Sequence, residues 1–166
     1  MEIKIKYFNK DITKIEKISK GDWIDLRNAD KTDMTSTLVA SSEIAGAFER
    51  EYEYGVSIKA GHSALIHLGV GMILPDGYEA HIAPRSSTFK KYGILLTNSV
   101  GVIDNSYSGN KDEWLADVYA TRDTFIPFNE RFLQFRIIES QPAFNFIEVD
   151  KLNDISRGGF GSTGVK

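Results

Sequence analysis

Alternating apolar and polar positions in the first half of the chain predict β-strands. Residues 2–7 alternate strictly, which is typical of a half-buried strand. Residues 64–74 form a longer apolar run that glycines interrupt, so we expect strands joined by a bend or bulge there rather than a helix. Pro75-Asp76-Gly77 predicts a turn, and residues 78–83 start the next strand.

The second half of the chain continues this pattern of short strands. Residues 114–120 and 131–138 predict strands with a turn between them, and residues 144–149 predict a last strand. In residues 41–55 a helical spacing of apolar residues favours a short helix or an irregular excursion over a hairpin. The chain has no internal repeat and no pair of long amphipathic helices. The pattern therefore predicts a single all-β domain over residues 1–166, built as a sandwich, barrel or jelly roll.

Composition and charge exclude several classes of protein. The formal net charge of −3 over 166 residues argues against binding nucleic acid directly through a general basic face. The chain has no cysteine and therefore neither a disulfide framework nor a thiolate zinc site, and its three histidines follow no metal-ligand spacing. No apolar run reaches membrane-spanning length and no signal peptide begins the chain, so we expect a soluble, cytoplasmic protein with no membrane attachment.

Residues 98–110 carry the most informative chemistry. An apolar strand ends there in a polar loop, and Asp104 at the boundary could take a proton from water. The ring of Tyr107 could lie against a ring-shaped ligand, and the amide of Asn98 offers both a donor and an acceptor to a base edge. The alternative from these residues alone is an ordinary hairpin with an aspartate in its turn.

Two other segments are suited to phosphate. Arg85-Ser86-Ser87-Thr88 places a guanidinium beside hydroxyls at the end of a strand, a combination that can surround an oxyanion. Residues 157–164 include four glycines, an arginine and two hydroxyls, so this tail could wrap a polyphosphate, although a flexible terminus without a role is also possible. Asp25 and Gln134 each stand among apolar neighbours; Asp25 must face solvent or have a partner, and Gln134 must be hydrogen-bonded to backbone or ligand.

In their order and approximate spacing, these segments resemble the five motifs of the trimeric dUTP pyrophosphatase (dUTPase) family. The matching segments are Asp25 in its apolar strand, Pro84-Arg85-Ser86-Ser87, residues 98–109, residues 131–134 and residues 157–164. The resemblance covers most of the chain. Its most specific parts are Gly101-Val102-Ile103-Asp104 with Tyr107 and Gly109, and the closing residues 159–164.

The resemblance implies a distorted jelly-roll or β-barrel subunit of the dUTPase type. Such subunits form a homotrimer with three shared active sites, to which one chain gives the phosphate-binding elements, a second the uracil-binding hairpin and a third its C-terminal arm, here about 154–166. The implied activity is that of a dUTP diphosphatase, a hydrolase of nucleotide metabolism that converts dUTP to dUMP and pyrophosphate. Water attacks the α-phosphorus in this reaction.

The resemblance also implies roles for individual residues. Asp104 resembles the general base, and Tyr107 resembles the residue under the deoxyribose that excludes a ribose hydroxyl. Family members use Mg²⁺ held mainly by the triphosphate and water, with Asp25 resembling an outer-shell partner. Asn98 with the backbone at 102–103 resembles the uracil reader, and Phe160 the aromatic lid. The residues that the resemblance assigns to substrate are Arg85, Ser86, Ser87, Asn98, Val102, Ile103, Tyr107, Gln134, Arg157, Phe160, Gly161, Ser162 and Thr163.

The chain departs from the family pattern at three places. Residues of about 36–58 are expected to be an insertion of unknown role. The tail is two residues shorter than the common pattern between its arginine and Phe160, which makes Trp114 a second candidate for the lid. Ser106 stands where many relatives have a second aspartate, so Asp104 is the only acid of that turn.

Two other functions remain open at this point. The related dCTP deaminases share the fold and much of the hairpin, but they need a glutamate on the following strand, near which this chain has Asp117. A jelly-roll interaction protein without catalytic activity is the second alternative, with the insertion as a binding surface.

Overall fold

A computed structural model of the chain describes residues 2–33, 54–153 and 155. These residues form an almost entirely β structure, which confirms the all-β prediction. The strands are β1 (Lys4–Tyr7), β2 (Ile24–Arg27), β3 (Thr32–Asp33), β4 (Tyr54–Ile58), β5 (Ser63–His67), β6 (Val70–Ile73), β7 (Tyr78–Pro84), β8 (Ile94–Leu96), β9 (Gly101–Ile103), β10 (Leu115–Ala120), β11 (Thr124–Pro127) and β12 (Arg131–Glu139), and one short helix is α1 (Thr88–Tyr92). No helix in the described ranges has the length and apolar character needed to cross a membrane.

Within the described ranges, the strands form four small antiparallel sheets. The four-stranded sheet has the order β2-β12-β7-β9, and the others have the orders β5-β10-β8, β11-β4-β3 and β1-β6. The longest ladder joins β7 and β12, from Leu133 opposite Pro84 to Glu139 opposite Tyr78. Because β2 pairs with the outer side of β12 and β9 with the outer side of β7, this ladder fixes both edges of the sheet.

The core forms where the sheets turn their apolar faces towards each other. Alternation along β2, β7 and β12 places Leu26, Ile82 and Phe135 inside, each nearly inaccessible to solvent. Trp114 is fully buried and meets Phe135 edge to face, with ring centroids 5.2 Å apart. The suggestion that Trp114 is an alternative lid is therefore wrong, because no face of its ring is open to a ligand.

Most of the predicted strands are confirmed, and one is not. The strands expected over residues 2–7, 64–74, 78–83, 114–120 and 131–138 are β1, β5 with β6, β7, β10 and β12. Gly69, with φ +70°, supplies the expected bend between β5 and β6. The strand expected over residues 144–149 is wrong: this segment pairs with no described strand, and the side chain of Phe146 is 92% exposed.

The expected insertion falls mostly outside the described residues. Of residues 36–58, only Tyr54–Ile58 is described, and it forms β4 between β11 and β3. Of the expected C-terminal arm over about 154–166, only Ile155 is described, and it is exposed. The insertion and the arm therefore stay predictions.

A buried asparagine connects β2 to the turn that precedes β12. Asn28 is fully buried, and its side-chain amide donates to the carbonyls of Ile126 at 2.9 Å and Pro127 at 3.2 Å. Its side-chain oxygen accepts the N–H of Asp30 at 3.0 Å. Its own backbone bonds Glu130 and Asn129. The side chain of Asn28 thereby satisfies backbone groups of two segments, and its backbone connects a third.

We expect Asn28→Ala to lower the free energy of unfolding by about 3 kcal/mol, because it leaves buried carbonyls and an N–H without partners. Chemical denaturation of both proteins at one protein concentration measures the difference. Asn110→Ala is the matched control, since Asn110 is exposed and uses only its backbone carbonyl. A loss for Asn28→Ala no larger than that of the control would contradict the role given to Asn28.

Candidate active site

The structure places the predicted site residues in two groups at opposite ends of β7. Arg85 follows the C-terminal end of β7, whereas Asp104 follows β9, whose last residue Ile103 pairs with Ala80 near the other end. Five residues of strand separate Ala80 from Arg85, a rise of about 16 Å. We call the first set the Arg85 group (Asp25, Arg85, Ser86, Ser87, Arg131 and Gln134) and the second the Asp104 loop (residues 104–113).

A carboxylate between two guanidinium groups organises the Arg85 group. Asp25 Oδ1 lies 2.8 Å from Arg85 Nε, and Asp25 Oδ2 lies 3.1 Å from Arg131 Nη1. These ion pairs are the partners that an aspartate in an apolar strand requires. They also hold the two cations side by side at the end of the sheet, where their like charges would otherwise drive them apart.

Arg131 is a site residue that the sequence did not single out. The β12 register shifts between Arg131 and Leu133, and this irregularity lets the adjacent Phe132 and Leu133 both be buried. Such bulges turn a side chain away from the direction that strict alternation gives it. Two adjacent buried apolar residues in an otherwise alternating strand were the available signal.

The backbone around Arg85 is fixed by a buried threonine at the start of α1. The Arg85 N–H donates to Thr88 Oγ1 at 3.0 Å, and the Thr88 hydroxyl donates to the Phe132 carbonyl. Arg85 Nη1 also donates to the Arg131 carbonyl at 3.1 Å. The short helix was not predicted, but it ends the strand abruptly and leaves Ser86 and Ser87 exposed beside the guanidinium.

Gln134 completes the Arg85 group from the neighbouring strand. Its backbone pairs with both Asp25 and Ala83, and its side-chain amide donates to the Pro84 carbonyl at 3.0 Å. The expectation that this glutamine is hydrogen-bonded is confirmed. The group opens into a cleft of about 390 Å³ whose other wall comes from the segment before β2, including Lys20 and Trp23.

The Asp104 loop presents an ionised carboxylate. Asp104 is exposed, and its Oδ1 accepts the Ser106 N–H at 2.8 Å. Hydrogen bonds from the side chain and then from the backbone of Ser106 lower the pKa of Asp104 below its ordinary value. The carboxylate is therefore charged at neutral pH and, because it is exposed, water can reach it.

Tyr107 lies on the same turn with its ring partly open. Its N–H donates to the Asp104 carbonyl at 3.0 Å, and its hydroxyl donates to the Glu113 carbonyl at 3.0 Å. The residue is 39% exposed, so one part of the ring can meet a ligand. Gly109 is bonded through its N–H to Asp112 Oδ2 at 2.6 Å, and an added Cβ would stand 2.8 Å from that oxygen.

The predicted hairpin is not a paired hairpin. The strands before and after the Asp104 turn belong to different sheets, because β9 pairs with β7 whereas β10 pairs with β5 and β8. Strands β8 and β9, on either side of Asn98, also belong to different sheets. Ser99 turns the chain between them with φ +61°. Asn98 is exposed, Val102 is 58% exposed and Ile103 faces the core, so Ile103 can meet a ligand only through its backbone.

The remaining candidates divide into residues outside the described ranges and residues engaged elsewhere. Arg157, Phe160, Gly161, Ser162 and Thr163 lie outside the described residues. Asp117, the acid considered for a deaminase, lies in a different sheet from Asp104 and accepts the Thr97 hydroxyl at 2.9 Å. The described residues contain no group of three or more His, Asp or Glu side chains placed to bind a metal ion.

Comparison with known proteins identifies the family. The dUTPase family model matches residues 34–164. The SPbeta prophage-derived deoxyuridine 5'-triphosphate nucleotidohydrolase of Bacillus subtilis (strain 168) is 46% identical over 166 residues, which is all of both chains.

Solved structures agree in fold. The dUTPase of Staphylococcus bacteriophage 80alpha with dUPNHPP has a TM-score of 0.66 at 16% identity, covering 99% of each chain. A mutant dUTPase of Staphylococcus aureus phage phi11, whose structure reveals the coordination of a structural Mg(II) ion, has a TM-score of 0.63 at 12% identity over 91% of this chain and 98% of its own. With a full-length relative, a family model over most of the sequence and a shared fold, this chain belongs to the dUTPase family.

Proposed function

We propose that this protein hydrolyses dUTP to dUMP and pyrophosphate, with Asp104 as the general base. The observation that carries the proposal is the exposed Asp104 carboxylate, whose pKa Ser106 lowers, on one turn with the part-open ring of Tyr107. A base is useful when it is deprotonated and can reach the attacking water, and both conditions fit Asp104. The relative of 46% identity is named for this activity.

The reaction needs little covalent chemistry from the protein. Asp104 Oδ2 accepts a proton from water while the water oxygen attacks the α-phosphorus, and the bond from that phosphorus to its bridging oxygen breaks. Pyrophosphate leaves with the electron pair of that bond. Ser106 holds the other carboxylate oxygen, so the base keeps one orientation through the step.

The Arg85 group is suited to the triphosphate. Arg85 and Arg131 provide charged donors, and the Ser86 and Gln134 side chains provide neutral hydrogen-bonding groups in the same cleft, with the exposed Ser87 next to Ser86 in the chain. Asp25 keeps the two guanidinium groups in register before substrate arrives. The donors are then already oriented towards the phosphate oxygens that carry the negative charge.

Magnesium fits this site as an ion that binds together with the substrate. Asp25 is engaged by two arginines, and the described residues offer no cluster of metal ligands around it. Mg²⁺ would therefore take its ligands from phosphate and water, with Asp25 in contact through water. When bound, it neutralises phosphate charge; a structural Mg(II) ion is known in the phi11 phage enzyme.

We also propose a homotrimer whose sites are shared between chains. The Arg85 group and Asp104 stand about 16 Å apart along β7, and this separation favours a site to which different chains supply them. The end of the described chain supports assembly, since it leaves a set of large apolar side chains exposed that an isolated chain would not favour. They are Phe144, Phe146, Ile147, Val149, Leu152 and Ile155.

The C-terminal arm would close the shared site. Under this proposal Arg157, Gly161, Ser162 and Thr163 bind the far phosphates, and Phe160 covers the base. The exposed Asn98 and the backbone at 102–103 would read uracil. A cytoplasmic location belongs to the same proposal, and a chain without cysteine is compatible with that reducing compartment.

Asp104→Asn tests the base directly. We expect kcat for dUTP to fall by about 10³-fold with KM little changed, because the amide cannot accept the proton yet keeps the size of the side chain. Pyrophosphate release is measured from dUTP, dCTP, dTTP and UTP, with a strong preference for dUTP in the parent protein. Asp76→Asn, in an exposed turn, is the control. An undiminished rate in Asp104→Asn, or ammonia release from dCTP, would contradict the proposal.

Ser106→Ala tests whether the Ser106 side chain lowers the pKa of Asp104. Losing the hydroxyl removes the first cause of the lowered pKa, so Asp104 should protonate at higher pH and the acidic limb of kcat/KM should move towards neutral pH. The backbone N–H of residue 106 remains, so the displacement should be partial. Ser108→Ala removes a hydroxyl from the same loop and should leave the limb in place. If the acidic limb of kcat/KM lies at the same pH in the parent and in Ser106→Ala, the Ser106 side chain does not lower the pKa of Asp104.

Mixing two inactive variants tests the shared site. Asp104→Asn and Arg85→Ala should each be inactive alone. After unfolding and refolding together at equal amounts, they should regain up to about a quarter of the parent activity, because some mixed sites receive an intact Arg85 from one chain and an intact Asp104 from another. Light scattering gives the mass of the assembly. A mixture no more active than its components would place each site within one chain.

A further inference from the structure

Glu113, the last residue of the Asp104 loop, forms hydrogen bonds through both its side chain and its backbone carbonyl. Its carboxylate bonds the turn between β5 and β6: Oε2 lies 2.9 Å from His67 Nδ1, and Oε1 accepts the Gly69 N–H at 2.9 Å. Its backbone carbonyl accepts the Tyr107 hydroxyl at 3.0 Å. The side chain is only 16% exposed. One residue therefore connects the Tyr107 ring to the body of the protein.

The turn that receives the carboxylate is itself firmly held. The His67 N–H donates to Asp30 Oδ2 at 3.0 Å, and its carbonyl accepts the Ala29 N–H at 2.9 Å. Leu68 is fully buried, and its N–H donates to the Trp114 carbonyl at 3.1 Å. The hydrogen bond that Glu113 accepts from the His67 ring also raises the pKa of His67, because a carboxylate favours the charged ring.

We propose that Glu113 is a positioning residue for sugar selection. Its carboxylate fixes the end of the loop to the turn at 67–69. Its carbonyl then fixes the Tyr107 hydroxyl, and this sets the position of the ring relative to the bound sugar. The inference rests on the proposed role of Tyr107 under the deoxyribose. It adds a named support for that ring which the family pattern did not supply.

Sugar selection makes such a support necessary. A ring excludes one extra hydroxyl only if it cannot retreat, and an apolar surface alone discriminates weakly against a substrate that merely adds a hydroxyl. Tyr107 is 39% exposed, so packing covers only part of it. The hydrogen bond to the Glu113 carbonyl restrains the outer end of the ring, which is the end with the greatest freedom to move.

The experiment measures kcat/KM for dUTP and for UTP and takes their ratio. Tyr107→Phe removes only the hydroxyl, and Glu113→Ala removes only the carboxylate. Each should lower the ratio by about fivefold, the effect of one hydrogen bond. The double variant should lower it no further than the larger single effect, because both changes break the same connection.

Two further variants act as controls. Glu113→Gln should keep the ratio within about twofold of the parent, because the amide can still accept from Gly69 and can donate to a neutral His67. Lys111→Ala changes an exposed side chain of the same loop and should leave the ratio unchanged. If Glu113→Ala does not fold, an unchanged ratio in Tyr107→Phe still overturns the inference, because the Tyr107 hydroxyl is the contact with Glu113.

The outcomes separate this inference from the proposed function. If Tyr107→Ala collapses the ratio while Tyr107→Phe and Glu113→Ala keep it, Tyr107 selects the sugar and the positioning role of Glu113 is overturned. If Glu113→Ala slows both substrates equally, the residue supports the fold alone and the inference also fails. If even Tyr107→Ala keeps the ratio, the sugar-selecting role of Tyr107 is lost and this inference with it.

Discussion

The antiparallel ladder between β7 and β12 determines where every described part of the site lies. It places Gln134 and Arg85 together at one end, because Leu133 pairs with Pro84. Strand β9 pairs with the opposite half of β7, so Asp104 leaves the sheet at the other end. A slip of one residue in this ladder would turn the apolar face outward and would also move Gln134 away from the Pro84 carbonyl that its side chain binds. The burial of the core and the arrangement of the charged groups therefore depend on one register.

The two aspartates show how different surroundings act on one type of side chain. Asp25 lies between two guanidinium groups, which balance its charge and keep one net positive charge at the end of the sheet. Asp104 has no described cation beside it, and two bonds from Ser106 lower its pKa instead. Among the described residues, Asp25 is therefore held by ion pairs, whereas Asp104 is held by hydrogen bonds from an uncharged neighbour.

Local pattern predicted most of the strands and the chemistry of the turns, because alternation and glycine placement act over a few residues. It failed at positions whose structure depends on contacts with residues distant in the sequence. Trp114 follows a polar loop and resembles an exposed aromatic, yet the fold closes over it against Phe135. Residues 144–149 have the composition of a strand, but no described strand of the same chain pairs with them. Arg131 was missed because a register shift, invisible to a simple period of two, turns it into the site.

The Asp104 loop has no ladder of its own, so its shape depends on hydrogen bonds distributed along it. Ser106 fixes its beginning, Asp112 binds Gly109 in its middle, and Glu113 ties its end to the turn at 67–69. The Tyr107 N–H also donates to the Asp104 carbonyl, so the ring and the carboxylate share a backbone turn. Under the roles proposed above for Asp104 and Tyr107, a disturbance at the beginning of the loop should change the rate and the sugar preference together. A disturbance at its end reaches the ring through the Tyr107 hydroxyl first, so under the same roles it should change the sugar preference more than the rate.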